Sequence, residues 1–480
     1  MNVNLLVLIS DEHRRDAMGC MGHGIVRTPC LDALAARGTL FTNAYTPSPM
    51  CVPARAALAA GTHVHRTGCW DSATAFDGRI ESWMHRTTGA GMPVTAIGKL
   101  HFRSAEDDTG FCDQILPMHV VDGIGWPVAL LRDDPPVYEA AAELAADVGR
   151  GESSYTAYDR AITAAAETWI AERAGQTAPW AAFVSLVSPH YPLTAPAAFH
   201  DLYDPAVIPD PVAYDLKDRP DHPELRNLAD FFDYDRHFDP DHMRRAKAAY
   251  FGLTSFLDAQ IGRILAALET SGQAENTVVI YASDHGEMLG DHGFWTKQVM
   301  YEASAGVPMI VAGPGVPAAA RVHTAVSLLD IGATAEEIAG LAPSPDRPGQ
   351  SLRRIATAPD DPDRTVLSEY HDGGSRTGAF MIRWGDWKYI HYADAPPQLF
   401  HLGHDPDERH DRAKDAAHDP VAAAAIAEGA ARLRKICDPE AENARAFADQ
   451  AARIAELGGV DACRAAAVFN HTPAPGTDHP

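Results

Sequence analysis

The chain has 480 residues, 46% hydrophobic and 22% charged, enough apolar mass for one large domain and a smaller companion. Its 40 Lys and Arg against 65 Asp and Glu leave a formal net charge of -25, which excludes any general attraction to nucleic acid or anionic membranes. Seven scattered cysteines, an odd number without a metal-type C-x-x-C pair, exclude a disulfide framework and point to a reducing compartment.

Leu5 to Ile9 is a continuously apolar run, as expected for a central parallel strand buried on both faces, and it ends in Ser10-Asp11-Glu12-His13. The run is too short for a secretion signal and lacks a basic lead, and no stretch is long enough to span a bilayer, so a soluble cytoplasmic protein is expected. Thr28 to Gly38 reads as a helix stopped by glycine, and Phe41 to Tyr45 as a short strand. The turn Ser48-Pro49-Met50 leads into Cys51-Val52-Pro53-Ala54-Arg55, which opens an Ala-rich helix closed at Gly61. Val94 to Ile97 is a strand ending in Gly98-Lys99-Leu100-His101.

From Leu130 to Ser154 the composition predicts a surface loop with a short helix, followed by a helix over Tyr155 to Glu172. Ala181 to Val187 is a strand ending in Ser188-Pro189-His190. The Asp-, Pro- and His-rich stretch from Phe199 to His242 reads as a peripheral excursion with His200, His222, His237 and His242 in a solvated loop. A helix over Arg244 to Glu269 precedes a strand, Thr277 to Ala282, that ends in Ser283-Asp284-His285-Gly286; Met309 to Ala312 is the next strand. A Pro/Asp-rich boundary lies at Ala358 to Asp363. Beyond it come a hairpin over Phe380–Trp384 and Trp387–Tyr392, a strand at Gln398 to Leu402, a helix over Pro420 to Ile436 and a loose tail from Phe469 to Pro480.

Strands alternating with helices imply an α/β domain with a mostly parallel sheet, and such sheets bind ligands beyond the carboxyl ends of their strands. Asp11, Lys99, His101, His190, Asp284 and His285 each follow the end of a predicted strand, which argues for one convergent polar site. Cys51 stands where a loop enters a helix, with unpaired N–H groups and the positive end of the helix dipole, and Arg55 lies one turn on. That is an anion-processing arrangement. Asp11, Asp284 and His285 are hard ligands suited to Ca²⁺, Mg²⁺ or Mn²⁺.

Cys51-x-Pro53-x-Arg55 resembles the signal that sulfatases present to their maturation enzymes, which oxidise the cysteine to formylglycine. Ala54 and Ala60 depart from the commonest form of that signal at its edges. Ser283-Asp284-His285-Gly286 also resembles the family, as do Lys99-x-His101, Ser188-Pro189-His190 and Phe294-Trp295-Thr296-Lys297. The resemblance implies an alkaline-phosphatase-like catalytic domain over residues 1–362, with helices flanking a mostly parallel sheet. A small C-terminal α+β subdomain with an antiparallel sheet would follow over 363–480.

The resemblance further implies a sulfuric ester hydrolase whose nucleophile is the gem-diol of formylglycine 51. Arg55 would stabilise the diol, Lys99, His190 and Lys297 would bind the sulfate, and His101 would act as base. Asp11, Cys51, Asp284 and His285 would hold a divalent metal, Ca²⁺ first, with Mn²⁺ or Mg²⁺ as alternatives. Glu12 is left out of that set. The partners implied are a small-molecule sulfate ester and a maturation enzyme, and a homo-oligomer stays open. Phosphonate monoester hydrolases carry the same groups and are the rival reading; a silent anion-binding protein with unmodified Cys51 is a remote one.

For the substrate, Gly98 to Trp126 looks most like choline sulfatases, with Trp126 placed to hold a quaternary ammonium and Glu369 to add a counter-charge. Ser72 departs from the asparagine of those enzymes, so choline sulfate is a candidate rather than the assignment. His63-Val64-His65 reads as a turn contact, not a metal site.

Overall fold

Leu5, Val7 and Ile9 point to one side of the first strand and Leu6 and Leu8 to the other; each is buried in a different hydrophobic core. That strand therefore has helices on both faces, as its unbroken apolar run requires. The structure is a computed structural model that describes residues 3–133, 135–138, 140–466 and 471–476.

In chain order the elements that shape the site are β1 (Asn4–Asp11), α1 (Pro29–Ala36), β2 (Gly38–Phe41), α2 (Cys51–Ala60), β3 (Val94–Lys99) and β4 (Asp113–Met118). Then follow α3 (Ser154–Ala171), β5 (Ala181–Pro189), α4 (Pro223–Phe232), α5 (Pro240–Thr270), β6 (Thr277–Ser283), β7 (Met309–Ala312) and β8 (Ala320–Val322). They build an eight-stranded sheet in the order β8-β2-β7-β6-β1-β5-β3-β4. The four neighbours β6, β1, β5 and β3 are parallel, and their registers bring Ser10 beside Ser283, Asp11 beside Pro189 and Gly98 beside Ser185. Their carboxyl ends thus lie level along one edge.

Helices α3 and α5 cover the face that carries Leu6 and Leu8, where Ile162 and Ile261 are fully buried. Leu58 of α2, Trp83 and Ile331 cover the other face. Strand β7 runs antiparallel to both β2 and β6. The segment between β6 and β7 holds the 3-10 turn Asp291–Gly293 and the four-residue helix Glu302–Ala305 and stays at the carboxyl end of the sheet, where it supplies Thr296 and Lys297 to the cavity, so β7 starts from that edge. The single predicted strand at Phe41 to Tyr45 is instead β2 plus a separate pair, Ala44–Tyr45, with Gly38 at the start of β2 packed against β7.

The C-terminal region is a four-stranded antiparallel sheet of β9 (Val366–Tyr370), β10 (Ala379–Trp384), β11 (Trp387–Tyr392) and β12 (Ala395–His401). Gly385, with φ +46°, makes the two-residue turn between β10 and β11. Helix α6 (Pro420–Ile436) spans the predicted residues and buries Ala425 and Leu433 against Phe380 and Leu399. A second helix, α7 (Pro439–Glu456), was not anticipated. Its buried face is polar: Gln450 donates to Asp71 at 2.8 Å, and Arg132 donates to Gln450 at 2.7 Å and Asn443 at 3.1 Å. A helix whose buried face is amides and alanines gives no apolar stripe to read.

Of the tail expected to be loose, residues 469–470 and 477–480 lie outside the described residues. Of residues 471–476, Thr472 accepts a hydrogen bond from Tyr155 at 2.6 Å and Ala474 is buried, while Pro475 and Gly476 are exposed.

Gly98 precedes Lys99 with φ +99°, and a Cβ there would sit 2.3 Å from the Ser185 carbonyl oxygen and 2.8 Å from Ile162 Cδ1. Gly98→Ala is expected to cost about 2 kcal/mol or more in stability. Calorimetry should show a lowered Tm; an unchanged Tm would mean the strand absorbs the side chain without strain.

Candidate active site

Cys51 is the first residue of α2, and all ten residues of that helix are buried. Its sulfur lies 3.0 Å from His285 Nε2 and 3.7 Å from Asp11 Oδ1. His285 Nε2 is in turn 3.6 Å from Asp11 Oδ1 and 3.6 Å from Asp284 Oδ1. The donor atoms of Asp11, Cys51, Asp284 and His285 all fall within 4.8 Å of one another. His285 Nδ1 pairs with the Gly286 carbonyl at 3.0 Å. That bond places the ring proton on Nδ1 and leaves the Nε2 lone pair facing the cluster, as a metal-binding imidazole requires. Two carboxylates and a free imidazole lone pair, drawn from two strand ends onto one helix start, fit a divalent cation.

Arg55, one turn into α2, is only 2% exposed. It donates to Asp284 Oδ2 at 2.7 Å, Asp11 Oδ2 at 3.0 Å, the Lys99 carbonyl at 2.8 Å and Ser185 Oγ at 2.9 Å. No hydrogen bond joins it to Cys51 among the described residues; its guanidinium braces the two carboxylates. Burial opposes the charge on Asp11, yet Lys99 and Arg55 outweigh it and hold the carboxyl well below its usual range. Burial, reinforced by Asp11, pushes the Cys51 thiol far up. An unmodified Cys51 is therefore a thiol at neutral pH, not a nucleophilic thiolate.

Basic residues gather beside the same cluster. Lys99 Nζ lies 2.7 Å from Asp11. Lys297 Nζ lies 3.1 Å from Glu12 Oε2 and 3.1 Å from His190 Nε2. His190 Nδ1 pairs with the Tyr191 carbonyl at 2.6 Å, so Nε2 accepts from Lys297. Burial and Lys297 hold His190 neutral, and burial with Lys99 and Arg55 does the same for His101. Both ring nitrogens of His101 are buried without a partner among the described residues. Glu12 and His101 adopt φ +66° and +54°, left-handed conformations uncommon for non-glycine residues and shared here with ten others. Glu12, left out of the sequence-derived site, is thus at its centre as the carboxylate that pairs with Lys297.

A cavity of about 90 Å³ opens above Cys51. Lys99 and Lys297 are the only fully charged side chains that line it among the described residues, so the site is locally basic inside an acidic protein. Trp126, Tyr138, Tyr191, Phe232 and Tyr234 form its aromatic wall. Phe232 and Tyr234 belong to the stretch expected to be a peripheral excursion, and Tyr138 and Leu144 to the one expected to be a surface loop. Apolar positions of α4 and its flanks are buried instead, and His222, expected in a solvated loop, is 3% exposed and bonded to the Pro396 carbonyl at 2.7 Å.

Trp126 lines the cavity as expected, but Glu369 does not. Its carboxylate, 1% exposed, is held by His65 Nδ1 at 2.8 Å and lies 3.7 Å from His371. It is committed to a structural pair and supplies no counter-charge at the cavity. Ser72 lines the cavity but donates its hydroxyl to Asp372 at 2.7 Å. Sequence reasoning missed the rest of the aromatic wall and the tail residues His471 and Thr472, which lie in no recognisable motif, and also Ser185, which lies inside a predicted strand with nothing local to mark it.

A profile described as Sulfatase matches residues 3–341. The chain belongs to the sulfatase family. The C-terminal part of this sulfatase, residues 290–435, matches the C-terminal region of N-sulphoglucosamine sulphohydrolase. The choline-sulfatase of Rhizobium meliloti is 30% identical over 419 residues, spanning 84% of this chain and 81% of that protein. Arylsulfatase K of Rattus norvegicus is 31% identical over 437 residues, spanning 84% and 74%. The crystal structure of the phosphonate monoester hydrolase of Agrobacterium radiobacter superposes with a TM-score of 0.73 at 25% identity, covering 90% of this chain and 95% of that one. The sulfatase is a sulfuric ester hydrolase with an alkaline-phosphatase-like fold, and no described helix is long and apolar enough to cross a membrane.

Arg55→Lys keeps the charge of the brace but loses its fork. It is expected to weaken divalent-metal affinity about 10- to 100-fold, the range for groups that orient metal ligands. Calorimetric metal titration measures this; unchanged affinity would show that Asp11 and Asp284 need no brace.

Proposed function

We propose that this sulfatase hydrolyses sulfate monoesters at residue 51 after Cys51 has been oxidised to formylglycine. The observation that carries the reading is the meeting of two sets of groups at Cys51. Asp11, Asp284, His285 and Cys51 bring their donor atoms within 4.8 Å of one another, and Lys99, His101, His190 and Lys297 line the cavity that Cys51 also lines. Asp11, Asp284, His285 and residue 51 would hold the cation, with Ca²⁺ favoured by the hard oxygen donors and Mn²⁺ or Mg²⁺ as alternatives. Bound there, it would polarise the sulfuryl group and favour the ionised hydroxyl of residue 51.

A hydrated aldehyde at residue 51 would offer one hydroxyl, ionised beside the cation with its proton lost to solvent, to displace the ester oxygen from sulfur in line. A plain alcohol would be left as a stable sulfate ester; a hemiacetal sulfate can expel sulfate as the aldehyde re-forms. Lys99 and Lys297 neutralise the sulfuryl oxygens. Lys297, held between Glu12 and His190, is placed to give a proton to the leaving oxygen. His101 is neutral and free at both ring nitrogens, and takes the proton from the second hydroxyl. Arg55 keeps the two carboxylates fixed throughout.

Because Cys51, Pro53 and Arg55 are all buried, a maturation enzyme reaches this signal only before α2 docks. A second reading, phosphonate monoester hydrolysis, is favoured by the likeness to the Agrobacterium radiobacter enzyme, and sulfuryl and phosphoryl centres are close in size and geometry.

The deciding experiment is kcat/KM on matched aryl sulfate and aryl phosphonate monoesters, using protein co-expressed with a maturation enzyme. A sulfate preference supports the reading, and a phosphonate preference transfers the same residues to the rival. Cys51→Ala, and wild-type protein whose Cys51 peptide mass shows no aldehyde, are expected to lose about 10³-fold or more in kcat. Activity retained by unmodified Cys51 would end the formylglycine proposal.

The pH profile tests the base. The pKa of His101 is depressed, so its neutral form persists as pH falls through the ordinary histidine value of 6.5. The acid limb of kcat/KM is therefore expected below pH 6.5. A limb at or above that value would remove His101 from the role.

A further inference from the structure

The segment 471–476 reaches the cavity that holds Cys51 at its first two residues. His471 and Thr472 line it together with Lys99, His101 and His190. The anchor is Tyr155, fully buried near the start of α3. Its hydroxyl donates to the Thr472 carbonyl at 2.6 Å, and its ring meets the His471 ring edge-on, with centroids 4.9 Å apart. Ala474 is buried in the same core as Tyr155. Around the same Tyr155 ring, Lys99 Nζ lies 5.9 Å from the centroid and the His190 ring 5.8 Å. One aromatic side chain thus joins the C-terminal segment to two candidate anion-binding groups.

The polar atoms of His471 are under-used. Its Nδ1 is buried with no hydrogen-bond partner among the described residues. Burial, with Lys99 beside it, holds the ring neutral, so it carries one donor and one acceptor. A buried polar atom without a partner is unfavourable until something pairs with it. Lys99, His101, His190 and Lys297, the groups that the sulfate-ester reading assigns to the anion, already line the cavity. Beyond them, His471 Nδ1, Trp126 Nε1 and Gln298 Oε1 are polar atoms of lining residues left without a partner among the described residues. No carboxylate lines the cavity among the described residues, so a cationic organic group would find no counter-charge there.

We propose that the 471–476 segment is a wall of the substrate pocket and that His471 is a specificity-determining residue, hydrogen-bonded to the uncharged organic group of the sulfate ester. The proposal rests on the sulfate-ester reading above. It assigns to the end of the chain a role in choosing the substrate rather than in the chemistry at sulfur.

Direct binding tests it without requiring turnover. The probes are 6-hydroxynaphthalene-2-sulfonate, which has an anion and a polar organic group, and inorganic sulfate, which has the anion alone. His471→Ala is expected to weaken the aryl sulfonate about fivefold or more and to leave inorganic sulfate unchanged. His471→Phe, which keeps a ring against Tyr155, guards against a folding defect. It is expected to hold the wild-type Tm, leave inorganic sulfate unchanged and still discriminate less between the two probes. Equal affinities of wild type and both variants for the sulfonate would overturn the proposal, as would parallel losses for both probes. On p-nitrophenyl sulfate the expected signature is a raised KM with kcat nearly intact. Wild-type protein that binds the sulfonate through His471 yet cleaves no sulfate ester would end the sulfate-ester reading and leave His471 only as a contact to the organic group of a bound anion.

Discussion

The guanidinium of Arg55 lies between two fully buried carboxylates, and the rest of the site depends on that contact. Asp11 and Asp284 end adjacent parallel strands, so the sheet register alone forces two negative charges together in a dry interior. Unpaired, each would carry a desolvation cost of several kcal/mol. Arg55 answers both with charge-assisted hydrogen bonds and also binds the Lys99 carbonyl and the Ser185 hydroxyl. One side chain therefore ties the helix that starts at Cys51 to four strands. A cation among Asp11, Asp284 and His285 would add to a framework that is already held in place.

Around that framework the charges are sorted rather than mixed. Lys99 leans on Asp11, and Lys297 on Glu12 and His190. The carboxylates stay below the cavity floor, while the two ammonium groups reach its lining. This is how a chain of net charge -25 presents a basic cavity: the global field is set by the surface, and the local one by a few buried groups at short range, where solvent screens least. The aromatic residues above add an apolar mouth that limits water near the polar floor.

Much of this was legible in the chain because it depends on neighbours in sequence. The apolar runs that became β1, β3, β5 and β6 are local patterns, and in a parallel sheet the residue after each run falls at the same edge. Hence Asp11, Lys99, His190 and Asp284 could be gathered before any coordinates. Cys51 and Arg55 are one helical turn apart, and that spacing could be read directly. Other features were not legible. Arg55 was expected at the diol from its spacing alone; the partners that brace it, drawn from four separate strands, could not be read from that spacing. Glu369 was expected at the cavity, but β9 delivers it to His65 instead. The cavity wall takes Tyr138, Phe232 and His471 from segments whose composition suggests loops.

The sequence by itself determined the strand–helix alternation, the strand-end polar groups and the helix-start cysteine, because each is encoded in the period or spacing of a short stretch. Only the tertiary structure decided the antiparallel course of β7, the brace made by Arg55, the pairing of Glu12 with Lys297 and the path of the last residues to the pocket. Those outcomes turn on which distant surfaces meet. Tyr155 and Thr472, 317 residues apart, become partners through packing and hydrogen-bond satisfaction over the whole chain, and no local pattern encodes that.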